Sequence, residues 1–159
     1  VARSHRRASP APAAAARVPL QLEVLDRARA RLPRDFVRRV VRTTLAFAGR
    51  PEVPVSLLLT DDAEIAQLHA EHLDDPTPTD VMSFAVDGGA ELVVSVETAR
   101  RVAREHGHAV RAELALYIVH GLLHVLGYDD VRPRDRARMR QAERDVLQQL
   151  ALRVHVVDG

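Results

Sequence analysis

Two hydrophobic periods alternate along the chain, and the changes of period divide it into strands and helices before any residue is singled out for chemistry. Over residues 18–25, apolar side chains recur at every second position, at Leu20, Leu22 and Val24, which predicts a strand with one buried face. After Pro33 the period lengthens. Val37, Val40, Val41, Leu45 and Ala48 form one helical stripe, and Gly49 stands where a helix-ending glycine belongs. The opposite side of that helix carries Arg34, Arg38, Arg39 and Arg42, a solvated face by composition. Residues 55–59 read as a short apolar strand; Asp61 and Glu64 then have capping-box spacing and open a helix running to about Leu73. Residues 74–80 hold Pro76 and Pro78 and form a loop. Two further strands, 81–86 and 92–96, flank Asp87-Gly88-Gly89, the turn of an antiparallel hairpin.

The remainder has helical spacing: 97–105 stopped near Gly107, 110–126 stopped at Gly127, and 134–151 opened by Pro133. The middle one of these is apolar around nearly its whole circumference, so it belongs at the centre of the fold. This order of elements predicts a single-domain α+β fold with a mixed sheet of about four strands and about five helices. The domain is expected over residues 18–152, preceded by a disordered basic arm over 1–17 and followed by a tail over 153–159.

Composition narrows the function. At 159 residues and 47% apolar, the chain can bury one core, built mainly from Val, Leu, Ile and Ala because aromatic residues make up only 3%. So few aromatic rings disfavour recognition by base stacking. There is no cysteine, which excludes disulfide partners, thiolate catalysis and cysteine zinc sites and leaves His, Asp and Glu as metal ligands. The net charge of +1 does not by itself attract nucleic acid, although every basic residue is Arg. The arm carries Arg3, Arg6, Arg7 and Arg17, and Pro10 and Pro12 interrupt an alanine tract that lacks the apolar centre of a signal peptide. No apolar run approaches the roughly 20 residues that span a bilayer, so a cytoplasmic protein with no membrane partner is expected.

His120 and His124 lie four residues apart on the central helix, so both imidazoles leave one face and can reach one ion. Gly127 permits a left-handed residue that ends the helix, and the returning chain brings Asp130 toward the two rings. Two nitrogens and a carboxylate leave a coordination position open, the arrangement of a catalytic rather than a structural zinc site. Two imidazoles in an otherwise apolar helix also need partners. Asp129 is the competing carboxylate; it could instead cap the chain reversal or orient a ligand. The same donors suit iron or another divalent metal, so the residues point to zinc without singling it out. Gly121 occupies the place where His-Glu-x-x-His proteases keep their general base, which argues against peptide hydrolysis.

The segment His120-Gly-Leu-Leu-His124-Val-Leu-Gly127-Tyr-Asp-Asp130 resembles the His-Gly-x-Leu-His-x-Leu-Gly-Tyr-Asp-His signature of the YbeY family of endoribonucleases, except at its last position. Pro78-Thr79-Asp80-Val81-Met82-Ser83-Phe84 is similar to that family's Pro-Thr-Asp-Val-Leu-Ser-Phe block, and Ala90-Glu91-Leu92-Val93-Val94-Ser95 more weakly to its Gly-Asp-Ile-x-Ile-Ser strand. The resemblance implies an α+β fold, one zinc ion, and single-strand-specific endoribonuclease activity in 16S rRNA 3′-end maturation and 70S ribosome quality control. The implied partners are rRNA and the ribosome. Two departures stand out. Asp130 replaces a histidine ligand, and Leu73 aligns with an arginine taken to contact phosphate; Arg100, Arg101, Arg104 or Arg111 could compensate, although a solvated structural role is the favoured reading of each. Asp80 is expected to cap a turn or strand end, Ser83 lacks the context of a serine nucleophile, and no general base is assigned. His72 is at best a site-edge residue, and His106 and His108 are expected to be exposed. A ribosome-binding protein with a structural metal and a hydrolase of small substrates are the alternatives.

Overall fold

The computed structural model describes residues 18–73 and 79–156. The arm over 1–17, loop residues 74–78, residues 157–159 and the side chain of Leu73 lie outside the described residues. Four strands, β1 (Leu22–Asp26), β2 (Val55–Thr60), β3 (Val81–Val86) and β4 (Gly89–Ser95), form one sheet in the order β1-β2-β4-β3. The β1, β2 and β4 strands are parallel and β3 runs antiparallel to β4, which makes the sheet mixed. Five helices complete the α+β domain: α1 (Arg34–Phe47), α2 (Asp62–Leu73), α3 (Val96–His106), α4 (Val110–Val125) and α5 (Pro133–Gln149).

The alternation along β2 sets the layers. Val55, Leu57 and Leu59 are buried and pair in register with Ala90, Leu92 and Val94 of β4, giving one apolar face on which α4 packs. Parallel neighbours require crossovers, which α1 supplies between β1 and β2. The hairpin is tighter than the sequence suggests. Asp87 (φ +48°) and Gly88 (φ +76°) alone make the turn, and Gly89, read above as a turn residue, opens β4 opposite Val86. A two-residue loop with both residues at positive φ matches the twist of the flanking strands, which is why the turn excludes Gly89. At the start of α2, the Glu64 N–H donates to Asp61 Oδ1 (2.8 Å). The Glu64 carboxylate instead meets the Thr60 hydroxyl and Arg27, so the cap is half of a reciprocal box.

Helix α4 contacts α1, α3, α5, β3 and β4. Ala115, Ile118, Val119, Leu122 and Leu123 are fully shielded from solvent, as its all-round apolar pattern requires. Its closest approach to the sheet is at Gly121. A Cβ there would sit 2.9 Å from Leu92 Cδ2 and 3.1 Å from Val81 Cγ2, both held in the packed layer between α4 and the β3–β4 hairpin. Any side chain after the first histidine would therefore press on this layer. Among the described residues, no helix is long and apolar enough to cross a membrane.

Gly121→Ala is expected to cost about 1–3 kcal/mol through overpacking against β3 and β4. Chemical denaturation should show a lowered midpoint with an unchanged slope; an unchanged midpoint would mean that α4 has slack against the sheet.

Candidate metal centre

His120 and His124 occupy the last two turns of α4, their rings 4.6 Å apart between centroids and nearly perpendicular at 82°. The helix then stops by a double backbone cap. The Gly127 N–H donates to the His124 carbonyl (3.1 Å) and the Tyr128 N–H to the Leu123 carbonyl (2.9 Å), with Gly127 at φ +104°. The chain reverses, and Asp129 uses Oδ1 to accept the N–H groups of Asp130 (2.7 Å) and Val131 (3.1 Å). This Asx-type cap occupies Asp129 in the turn and leaves the Asp130 carboxylate to face the rings. Asp130 Oδ2 lies 3.2 Å from His124 Nε2 and 3.9 Å from His120 Nε2.

These three residues each offer one donor atom within 4.8 Å of the others. Donors about 2.1 Å from a shared tetrahedral ion are roughly 3.4 Å apart, a spacing that the two observed separations bracket. Two imidazole nitrogens and a carboxylate oxygen suit zinc and related divalent ions, so the residues fit a metal. All three side chains are partly exposed, which leaves one side of the group open to solvent.

Glu143, on α5, is the residue that sequence reasoning missed. It is fully buried and accepts a hydrogen bond from His120 Nδ1–H (2.5 Å), while Arg140 Nη1 donates to both of its oxygens (3.2 and 2.9 Å). A carboxylate paired with a guanidinium can only accept, so the His120 proton sits on Nδ1 and the Nε2 lone pair is left for an ion. Burying the carboxylate is tolerable because both oxygens are satisfied. A signal was present: Glu143 interrupts the buried stripe Met139, Ala142, Val146 and Leu147 of α5, where a lone acid needs a partner.

Two clefts meet at His120. One, of about 610 Å³, runs along β3 past Ser83 and His69 to His124; the other, of about 310 Å³, passes Tyr117, Arg140 and Asp130. Asp80 lines both, and its Oδ1 accepts the Val81 N–H (2.8 Å), the strand-end cap expected of it. Ser83 lies on β3 against Gly121. The arginines weighed as substitutes at Leu73 lie outside both clefts. Arg100 is exposed and reaches the Arg29 carbonyl (3.4 Å), Arg101 pairs with Asp62 (3.5 Å), and the exposed Arg104 and Arg111 line neither cleft. Arg140 is the arginine at the site. His72 lies instead on the far face of the sheet against Phe84, and His108, expected to be exposed, is largely buried on Glu113. Glu113 is itself buried beside Tyr117. Burial, reinforced by the Glu113 charge, raises the Tyr117 hydroxyl far above its ordinary range and keeps it protonated.

A mixed-sheet domain with a solvent-open group of two imidazoles and one carboxylate at the end of its central helix defines a class, the small α+β proteins equipped to hold a divalent ion. The family model described as Endoribonuclease YbeY matches residues 25–151. An Endoribonuclease YbeY from Heliobacterium modesticaldum is 38% identical over 133 residues, covering 68% of this chain and 80% of the relative. Another, from Desulforamulus reducens, is 38% identical over 131 residues, covering 74% and 86%. The solution structure of TM1509 from Thermotoga maritima matches with a TM-score of 0.59 at 20% identity, over 82% of this chain and 92% of that one, a likeness of fold. The chain belongs to the endoribonuclease YbeY family.

Elemental analysis should find one divalent ion per wild-type chain and little in Asp130→Ala. Glu143→Gln should weaken metal affinity about 10–100-fold, the usual effect of removing a ligand's hydrogen-bond partner. Full metal content in Asp130→Ala would remove that residue from the ligand set.

Proposed function

We propose that this protein is a zinc-dependent endoribonuclease that cuts single-stranded RNA, acting in the cytoplasm on the ribosome during 16S rRNA 3′-end maturation and quality control. The observation that carries the reading is the orientation of His120: Glu143 fixes its proton on Nδ1 and turns Nε2 toward His124 and Asp130. His120, His124 and Asp130 would hold the ion. When bound, it supplies Lewis acidity to a phosphoryl oxygen and to water.

The protein's own groups do the rest. Glu143 keeps the imidazole of His120 from rotating, and the Asp129 cap holds the Asp130 carboxylate toward the same point. Arg140, anchored by that same Glu143, presents a positive charge to the cleft beside His120 and would neutralise phosphate. This replaces the arginine contact that Leu73 forgoes. The clefts on either side of His120 suit one extended strand, and the smaller is at the low end of pockets that take a single small ligand. A duplex would keep its bases stacked outside them. Gly121 leaves no carboxylate at the position used by peptide-cleaving enzymes, which favours phosphodiesters over amides.

Leu73 favours one alternative, a ribosome-associated binding protein in which the metal is structural. Cleavage assays separate the two. Wild-type protein should cut single-stranded RNA, lose the activity to a chelator and regain it with zinc, and His120→Ala should be reduced about a hundredfold or more. Cleavage that survives His120→Ala contradicts the proposal, and ribosome co-sedimentation without cleavage under any metal favours the alternative.

A further inference from the structure

The two clefts at His120 are part of a longer groove. His106 and His155 line the cleft past Tyr117 and also a third cleft of about 690 Å³. Neighbouring hollows therefore share walls, at Asp80 and His120 and at the His106–His155 pair. Their charge is uneven. The cleft along β3 has no arginine among its described walls, and the cleft past Tyr117 sets Arg140 among Asp80, Glu113, Asp130 and Glu143. The third, by contrast, is lined by Arg144, Arg153 and three histidines, with no carboxylate among its described walls. The two histidines at the junction are exposed and stack nearly parallel, with centroids 5.4 Å apart and planes at 27°. His155 is held there because Leu152, Val154 and Val156 pack against the core and bring the chain after α5 back beside the end of α3.

We infer that single-stranded RNA follows this groove, and that the part beyond Arg140 is gripped by the His106–His155 pair and Arg153. The inference rests on the endoribonuclease reading above and adds the course of the strand. Flat rings at a junction offer bases a stacking surface without demanding a sequence, and guanidinium groups beside them pair with the intervening phosphates. The protein has almost no Phe, Tyr or Trp to stack on, and histidine supplies those faces instead. One side of the metal centre thus holds the strand while the other, poorer in charge, lets it pass. The missing arginine at position 73 would be offset across the centre, on α5 and the segment after it.

The test is fluorescence anisotropy with an end-labelled single-stranded oligoribonucleotide of about ten nucleotides, run on the full chain over a salt series. His155→Ala and Arg153→Ala alter exposed side chains and should leave the unfolding temperature unchanged. Each should weaken binding about tenfold, and Arg153→Ala should also lower the salt slope by about one. Arg38→Ala, which removes an exposed arginine of α1, should bind within about twofold of wild type. Wild-type binding by both groove variants, or an equal loss in Arg38→Ala, overturns the inference. The two proposals fail differently: a wild type that neither binds nor cuts RNA defeats the endoribonuclease reading and the groove with it. A wild type that binds and cuts RNA, matched by both groove variants, defeats the groove alone.

Discussion

The site depends on one buried contact, the hydrogen bond from His120 Nδ1 to Glu143 Oε1. A carboxylate with no solvent exposure is costly unless its oxygens are hydrogen-bonded, and here the imidazole and Arg140 serve both. The reward is orientation: the tautomer is fixed, the ring cannot turn, and Nε2 faces the second imidazole and the acid across the cleft. The same carboxylate positions a guanidinium beside the point where a phosphate would lie. One buried charge therefore ties α5 to α4 and organises both the metal ligands and their nearest cation.

That arrangement requires α4 to be immobile, and its surroundings provide this. It is enclosed by three helices and two strands, and it lies so close to the sheet that a Cβ at position 121 would press on Leu92 and Val81. The packing constraint and the chemistry coincide at this residue. A larger side chain there would require the Leu92 and Val81 side chains to shift.

Most of the secondary structure was legible because its signals are local. The apolar periods located the five helices and four strands, and glycines 49, 107 and 127, all at positive φ, marked helix ends. The sheet order β1-β2-β4-β3 was not legible, since pairing partners are set by contacts between distant segments. At the site, spacing pointed to His120, His124 and Asp130, which the structure brings together, and the coordinates add the cap that occupies Asp129. Glu143 escaped the sequence reading, because its partner is 23 residues away in sequence. The arginines weighed as phosphate contacts face Asp62, the Arg29 carbonyl and solvent, in keeping with the solvated role favoured for each. His108 escaped for a similar reason: a histidine after a helix-ending glycine looks solvent-facing until Glu113 is seen beneath it.

The most direct test of the account is an anomalous-difference map from crystals of the zinc-loaded protein. A single peak about 2.0–2.2 Å from His120 Nε2, His124 Nε2 and an Asp130 oxygen, with Nδ1 of His120 still on Glu143, is the predicted result. A peak at other residues, or a His120 ring turned so that Nδ1 meets the ion and Glu143 is left unpaired, would contradict it.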